Sequence, residues 1–173
     1  EAVIELALRD KRFYERSGGG ITISGGEPMA QFPAVLKTLQ LARSAGLHTC
    51  LDTCGQAPLE RYRQIMPYVD LFLWDVKATG EELHRDLTGV DGRMIDANLR
   101  ALYAAGARIR LRCPMVPQVN DSQEHLARIA RMSGEMPNLE GIDLMAYHSF
   151  GRDKAKRVDI DQGDLPAEPA TQE

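Results

Sequence analysis

Short apolar or β-branched runs alternate with stretches of helical apolar spacing along almost the whole chain, and this alternation restricts the fold class more than any other feature. Strands are expected at residues 21–24, 47–52, 71–76, 108–113 and 141–146. Helices are expected at about 33–44, 59–66 and 94–105, with helical turns from Glu81 and a helix capped by Asp121 or Ser122 that reaches Ser133. In the first of these Val35, Leu36, Leu39 and Ala42 share one face, and Gly46 and Gly106 act as helix stops. The near-continuous apolar character of 71–76 predicts a strand covered on both faces, and Pro114 and Pro117 predict a loop after the fourth strand. Five β units separated by helices, joined by right-handed crossovers, imply an α/β parallel sheet curled into part of a (β/α) barrel. A doubly wound sheet is the alternative.

With 173 residues the chain is long enough for one domain with a real core. Its composition, 43% hydrophobic and 27% charged, is that of an ordinary globular protein, and a formal charge of -4 leaves no footprint for nucleic acid. Three cysteines, no signal-like segment and no apolar stretch of bilayer length predict a cytoplasmic protein without disulfides or membrane contact. Helical spacing begins at the first residue without a Met or a cap, which reads as a segment of a longer chain. Residues 155–173 carry two prolines and few apolar groups, so a flexible tail is expected there.

Parallel α/β folds of either kind bind ligands outside the carboxyl ends of their strands. On that rim fall Ser24-Gly25-Gly26-Glu27-Pro28, His48-Thr49-Cys50-Leu51-Asp52-Thr53, Leu73-Trp74-Asp75-Val76-Lys77, Arg110-Leu111-Arg112 and Ala146-Tyr147-His148. Chance would scatter such residues over both strand ends, so their convergence implies one pocket. The glycine pair lets the backbone close around a ligand and offers carbonyls to an ammonium group, with Glu27 expected to face it. Asp52 and Asp75 suit a hard cation or hydroxyls, and Lys77 and Arg112 suit a carboxylate. An amino-acid-like ligand with hydroxyls fits this set. Taken one at a time, each residue also has a plain structural role open to it: Asp52 as a turn cap, Lys77 as a partner of Asp75.

The order of these motifs resembles the radical S-adenosylmethionine family, specifically its activating enzymes of glycyl radical enzymes, of the pyruvate formate-lyase activating type. The likeness spans about residues 1–154 and is carried further by Asp10-Lys11-Arg12-Phe13-Tyr14, Ser17-Gly18-Gly19-Gly20, His84 with Leu87-Thr88-Gly89, Val116-Pro117 before Asn120-Asp121, and Tyr147-His148 before Gly151 and Lys154. The resemblance implies that Ser24, Gly25, Gly26 and Glu27 bind the methionyl amino end of S-adenosylmethionine. It places Asp52, Asp75 and Lys77 around the methionyl carboxylate and sulfonium, with a monovalent cation held by Asp52, Thr53, Leu73 and Asp75. Arg112 matches a cofactor-contacting arginine, and His148 a residue near the ribose or adenine. His84 and its turn read as structural support.

The implied reaction is reductive cleavage of S-adenosylmethionine at a [4Fe-4S] cluster, giving a 5′-deoxyadenosyl radical that takes a hydrogen atom from a glycine of a partner. That partner would be a glycyl radical enzyme of formate-lyase or dehydratase type, with flavodoxin or ferredoxin as electron donor. The family's C-x-x-x-C-x-x-C cluster motif is missing: Cys50 and Cys54 have its first spacing, but Ala57 stands where the third cysteine would be. The chain is therefore expected to be the cofactor-binding part, about five of six barrel strands, inactive by itself, its unpaired sheet edge open to self-association. A lyase or aldolase using Lys77 as nucleophile and a non-catalytic binding module are the rival readings.

Overall fold

The computed structural model describes residues 2–147. Helices α1 (Ala2–Leu8) and α2 (Lys11–Ser17) precede β1 (Gly20–Ile23), and a 3-10 turn (Pro28–Gln31) leads into α3 (Phe32–Ser44). There follow β2 (His48–Thr53), α4 (Leu59–Ile65) with a 3-10 turn (Met66–Tyr68), β3 (Leu71–Asp75), α5 (Glu81–Thr88) and α6 (Arg93–Ala104). Finally come β4 (Ile109–Met115), α7 (Gln123–Glu135) and β5 (Gly141–Ala146). Among the described residues no helix is long and apolar enough to cross a membrane.

The five strands form one sheet in the order β1-β2-β3-β4-β5, and every neighbouring pair is parallel. This order decides between the two expected architectures. A doubly wound sheet reverses its strand order to place helices on both faces, whereas right-handed crossovers that always advance to the next strand leave their helices on one face. The sheet is therefore an open segment of a (β/α) barrel. β1 and β5 each have one strand neighbour among the described residues.

One face of the sheet is the core. Leu51, Phe72, Trp74, Ile109, Leu111 and Cys113 alternate along β2, β3 and β4 and pack with Val35, Leu39, Tyr62, Ile65, Leu99, Leu102 and Ile129 from the helices. Each such side chain stabilises the fold by about 1.5–3 kcal/mol through apolar burial. The opposite face carries Cys50, Asp52, Leu71, Leu73, Asp75, Arg110 and Arg112, all half-buried. The expectation that 71–76 is covered on both faces is thus corrected: the apolar Leu71 and Leu73 line the concave side of an open barrel rather than a second helical layer.

Two further differences have local causes. The helical spacing at the start of the chain forms α1, and a second helix not expected from the sequence, α2, follows a break at Arg9-Asp10 and ends on a left-handed Gly18. β4 also runs through Pro114 to Met115, where a loop is expected. Along β4 alternate residues turn to opposite neighbours: Arg112 accepts from the Val76 N–H at 2.8 Å on the β3 side, and Met115 from the Tyr147 N–H at 3.1 Å on the β5 side. The missing N–H of Pro114 therefore falls on the β3 side, where that ladder has already ended, and leaves the pairing with β5 intact.

Candidate functional site

The ends of β1, β2, β3 and β4 converge on a small polar cluster. Asp52, at the penultimate position of β2, is held from both sides: Ser24 donates its hydroxyl to Oδ2 at 2.8 Å, and Arg112 Nη1 lies 2.6 Å from Oδ1. Arg112 stands opposite Asp75 in the β3–β4 register, so its guanidinium reaches across β3 to β2 over the concave face. Lys77 Nζ lies 3.9 Å from Asp75 Oδ2. Four of the charged groups predicted to share a pocket are thus brought together, in two crossed acid–base pairs.

Asp75 is the anomalous member. Its Oδ1 is buried and has no hydrogen-bond partner. Burial pushes its carboxyl above the ordinary range against the attraction of Lys77 and Arg112, and the negative charges of Asp52 and Glu27 add to the upward push. A buried carboxylate oxygen without a donor is costly in a folded chain unless something else supplies a positive charge or a donor.

Glu27 does not face the concave pocket as expected. Its Oε1 accepts from the Met29 N–H at 3.0 Å and the Thr53 hydroxyl at 2.7 Å, and its Oε2 accepts from the Cys54 N–H at 2.8 Å. The carboxylate thus ties the turn after β1 to the end of β2 and caps the 3-10 turn. What the turn leaves free is backbone: Gly25 has φ +107, which other residues rarely adopt, and neither Gly25 nor Gly26 has an atom within 4 Å of the place a Cβ would occupy.

Three polar residues brace this rim, and of these only Asn98 is not singled out from the sequence. Thr53 sits between Glu27 and the Tyr62 hydroxyl, 2.8 Å away, and its oxygen accepts from the Gly55 N–H at 3.1 Å. Asn98, buried on α6, donates to the carbonyls of Gly55 at 2.9 Å and Ala57 at 2.7 Å, holding the loop after β2. Asn120 does the same for the ends of β3 and β4. An amide among the apolar positions Ile95, Leu99 and Leu102 of α6 is the one hint the sequence offers for Asn98.

Leu73 lies opposite Asp52 and Thr53 opposite Trp74 in the β2–β3 register, which puts both backbones beside the two aspartates. His84 is structural: its Nδ1–H donates to the Val90 carbonyl at 2.9 Å, and Thr88 returns a bond to the His84 carbonyl at 2.7 Å. His148 lies outside the described residues, as do 155–173.

The cysteines do not form a metal centre. Cys113 is buried on the helical face, Cys50 lies on the concave face and Cys54 lies beyond the end of β2. Burial raises all three thiols, Cys113 to about 11, which opposes thiolate ligation. Among the described residues no group of three His, Cys, Asp or Glu side chains is placed to hold a metal ion.

Comparison with known proteins bears on the family and the fold. The sequence model of the Radical SAM superfamily matches residues 1–130. The choline trimethylamine-lyase activating enzyme of Oleidesulfovibrio alaskensis is 37% identical over 159 residues, 90% of this chain and 51% of that protein. The pyruvate formate-lyase-activating enzyme of Clostridium pasteurianum is 32% identical over 161 residues, 93% of this chain and 67% of that protein. A crystal structure of a domain of pyruvate-formate lyase-activating enzyme from Bacteroides vulgatus superposes with TM-score 0.70 at 27% identity, covering 76% of this chain and 82% of that one. The chain spans about half the length of the first of these relatives and two thirds of the second. On the match of superfamily, relatives and fold together, the chain belongs to the radical SAM superfamily, and the relatives it resembles there are activating enzymes.

Proposed function

We propose that the rim binds S-adenosylmethionine by its amino-acid end, and that the chain is the cofactor-binding part of an enzyme that activates a glycyl radical enzyme. The observation that carries this reading is the orphaned Asp75 Oδ1 beside Asp52, Lys77 and Arg112. The donor set fits the ligand. Lys77 and Arg112 offer charge to its carboxylate, the backbone of Gly25 and Gly26 receives its ammonium group, and Glu27 and Ser24 hold the turn and Asp52 in place. Asp52 and Asp75, with the carbonyls of Thr53 and Leu73, offer oxygens for a monovalent cation beside that carboxylate.

In the whole protein a [4Fe-4S] cluster would supply the electron, and bound S-adenosylmethionine the radical chemistry, for hydrogen-atom abstraction from a glycine of the partner. The chain's own cysteines do not fit the cluster, so no step is assigned to them. The residues described contribute binding, orientation and exclusion of water. In the whole protein the partner is a glycyl radical enzyme of formate-lyase or dehydratase type, and flavodoxin or ferredoxin is the electron donor. The aldolase alternative is disfavoured because Lys77 is half exposed and ion-paired with Asp75, whereas imine chemistry needs a desolvated, neutral amine.

Calorimetric titration of the chain with S-adenosylhomocysteine, which cannot be cleaved, tests the reading. Binding is expected, weakened about tenfold or more by Arg112→Gln and by Asp75→Asn. A folded chain that binds none, or variants that bind as well as the parent, would overturn it.

A further inference from the structure

We infer that Asn120 is a positioning residue that sets the distance between the Lys77 and Arg112 strand ends, and so controls affinity for the amino-acid end of the ligand. The inference rests on the binding reading above. Its origin is a break in the sheet. Between β3 and β4 the ladder closes with the bond from the Val76 N–H to the Arg112 carbonyl. The next residue of β4 that turns toward β3 is Pro114, which has no N–H to donate. Past the Val76–Arg112 rung, Lys77 on the β3 side and Pro114 on the β4 side have no backbone rung between them, just where the strand ends that carry Lys77 and Arg112 enter the site.

Asn120 fills that place with a side chain. Its Nδ2 donates to the Lys77 carbonyl at 2.8 Å and to the Pro114 carbonyl at 2.7 Å, spanning the opening with the two hydrogens of one amide. Its Oδ1 accepts from the Val116 N–H at 2.6 Å. At 3% exposure these bonds are made out of water, where a lost partner is expensive. The loop that delivers Asn120 is itself fixed. Asp121 Oδ1 accepts from the N–H of Gln118, a residue held at φ +64, the backbone N–H groups of Val119 and Asn120 both donate to the Val116 carbonyl, and Ser122 starts α7 directly afterwards.

A carboxamide suits this place because only a planar group with two donors and one acceptor meets both carbonyls and the Val116 N–H together. Asp at 120 keeps the shape and the acceptor but sets a carboxylate oxygen against two carbonyls. The Lys77 end would then move away from β4, and the Lys77–Asp75 pair would shift relative to Arg112 and Asp52. A ligand that lacks the amino-acid end would not call on this spacing.

The test compares Asn120→Asp and Asn120→Ser in the full chain, each checked for folding by circular dichroism and titrated calorimetrically with S-adenosylhomocysteine and with 5′-methylthioadenosine, which lacks the amino-acid end. Both variants are expected to lose about tenfold in affinity for S-adenosylhomocysteine and to keep their affinity for 5′-methylthioadenosine. Equal losses for both ligands, or unchanged affinity for S-adenosylhomocysteine, would overturn the positioning role while leaving the site reading in place. A parent chain that binds neither ligand would overturn the site reading and this inference with it.

Discussion

Asp75 combines a stability penalty with a binding role in one carboxyl group. Burial, the first cause, and the neighbouring Asp52 hold its acidity constant above the ordinary value of 3.8. The sign follows from linkage: a raised acid constant in the folded chain favours the protonated form, so ionisation destabilises the fold above that constant and has no effect below the unfolded value. Asp75→Asn is therefore expected to stabilise the free chain at neutral pH, with the gain shrinking to nothing as pH falls below about 3.8. Urea unfolding of both proteins between pH 3 and pH 7 measures it; a variant less stable at neutral pH would show that the carboxylate is not strained. Glycines near the site separate in the same way. Gly55→Ala would set a Cβ 2.3 Å from Trp74 Cζ2 at φ +83 and is expected to destabilise by about 3–5 kcal/mol. Gly25→Ala meets nothing within 4 Å and should cost about 1–2 kcal/mol of backbone strain. Chevron or equilibrium urea curves distinguish the two, and equal losses would contradict the packing argument. The glycine pair was readable from sequence because its reason is local. The orientation of Glu27 was not, because it is set by Thr53 and Cys54, which reach it only through the pairing of β1 with β2.

Elements were legible where a single physical rule fixes both their type and their ends. β5 begins and ends where the apolar run does, and α3 stops two residues before Gly46 because its last carbonyls are taken by Ala45 and Gly46. Proline normally ends a strand, so the sequence alone stops β4 at Cys113, and only the sheet order shows that the missing donor falls on the β3 side after that ladder has ended. The sequence allows Asp121 or Ser122 to start α7, and the geometry separates their roles. Ser122 Oγ accepts from the His125 N–H at 3.2 Å and caps the helix, while Asp121 Oδ1 closes the preceding turn on the Gln118 N–H at 2.9 Å. Ser122→Ala is expected to lower stability by about 1 kcal/mol, the usual loss for an N-cap, without altering ligand affinity. Asp121→Ala, by loosening the turn that presents Asn120, is expected to weaken S-adenosylhomocysteine binding severalfold. Melting curves and titrations of the pair check this division, and the reverse pattern would refute it.

At the scale of the whole molecule, a sheet whose strands advance in one direction must either close on itself or leave two edges. Here β1 and β5 are each bonded on one side among the described residues, and β5 shows Leu144 at 56% exposure on its helical face. Beside β1, the helices α1 and α2 expose Val3, Leu6 and Phe13. Unpaired parallel edges with apolar flanks present backbone donors and acceptors together with surface that gains from burial, which are the conditions for edge-to-edge pairing. The chain is accordingly expected to self-associate, with the associated fraction rising over the micromolar range in sedimentation velocity runs. Leu144→Lys places a charge beside the β5 edge and should shift the distribution toward monomer if that edge is used, because pairing would then bury an ammonium group. Phe13→Lys performs the same test on the β1 side. Reduction by one variant and not the other assigns the edge, whereas a chain that sediments as a monomer at every concentration would show that the open barrel protects its edges without a partner.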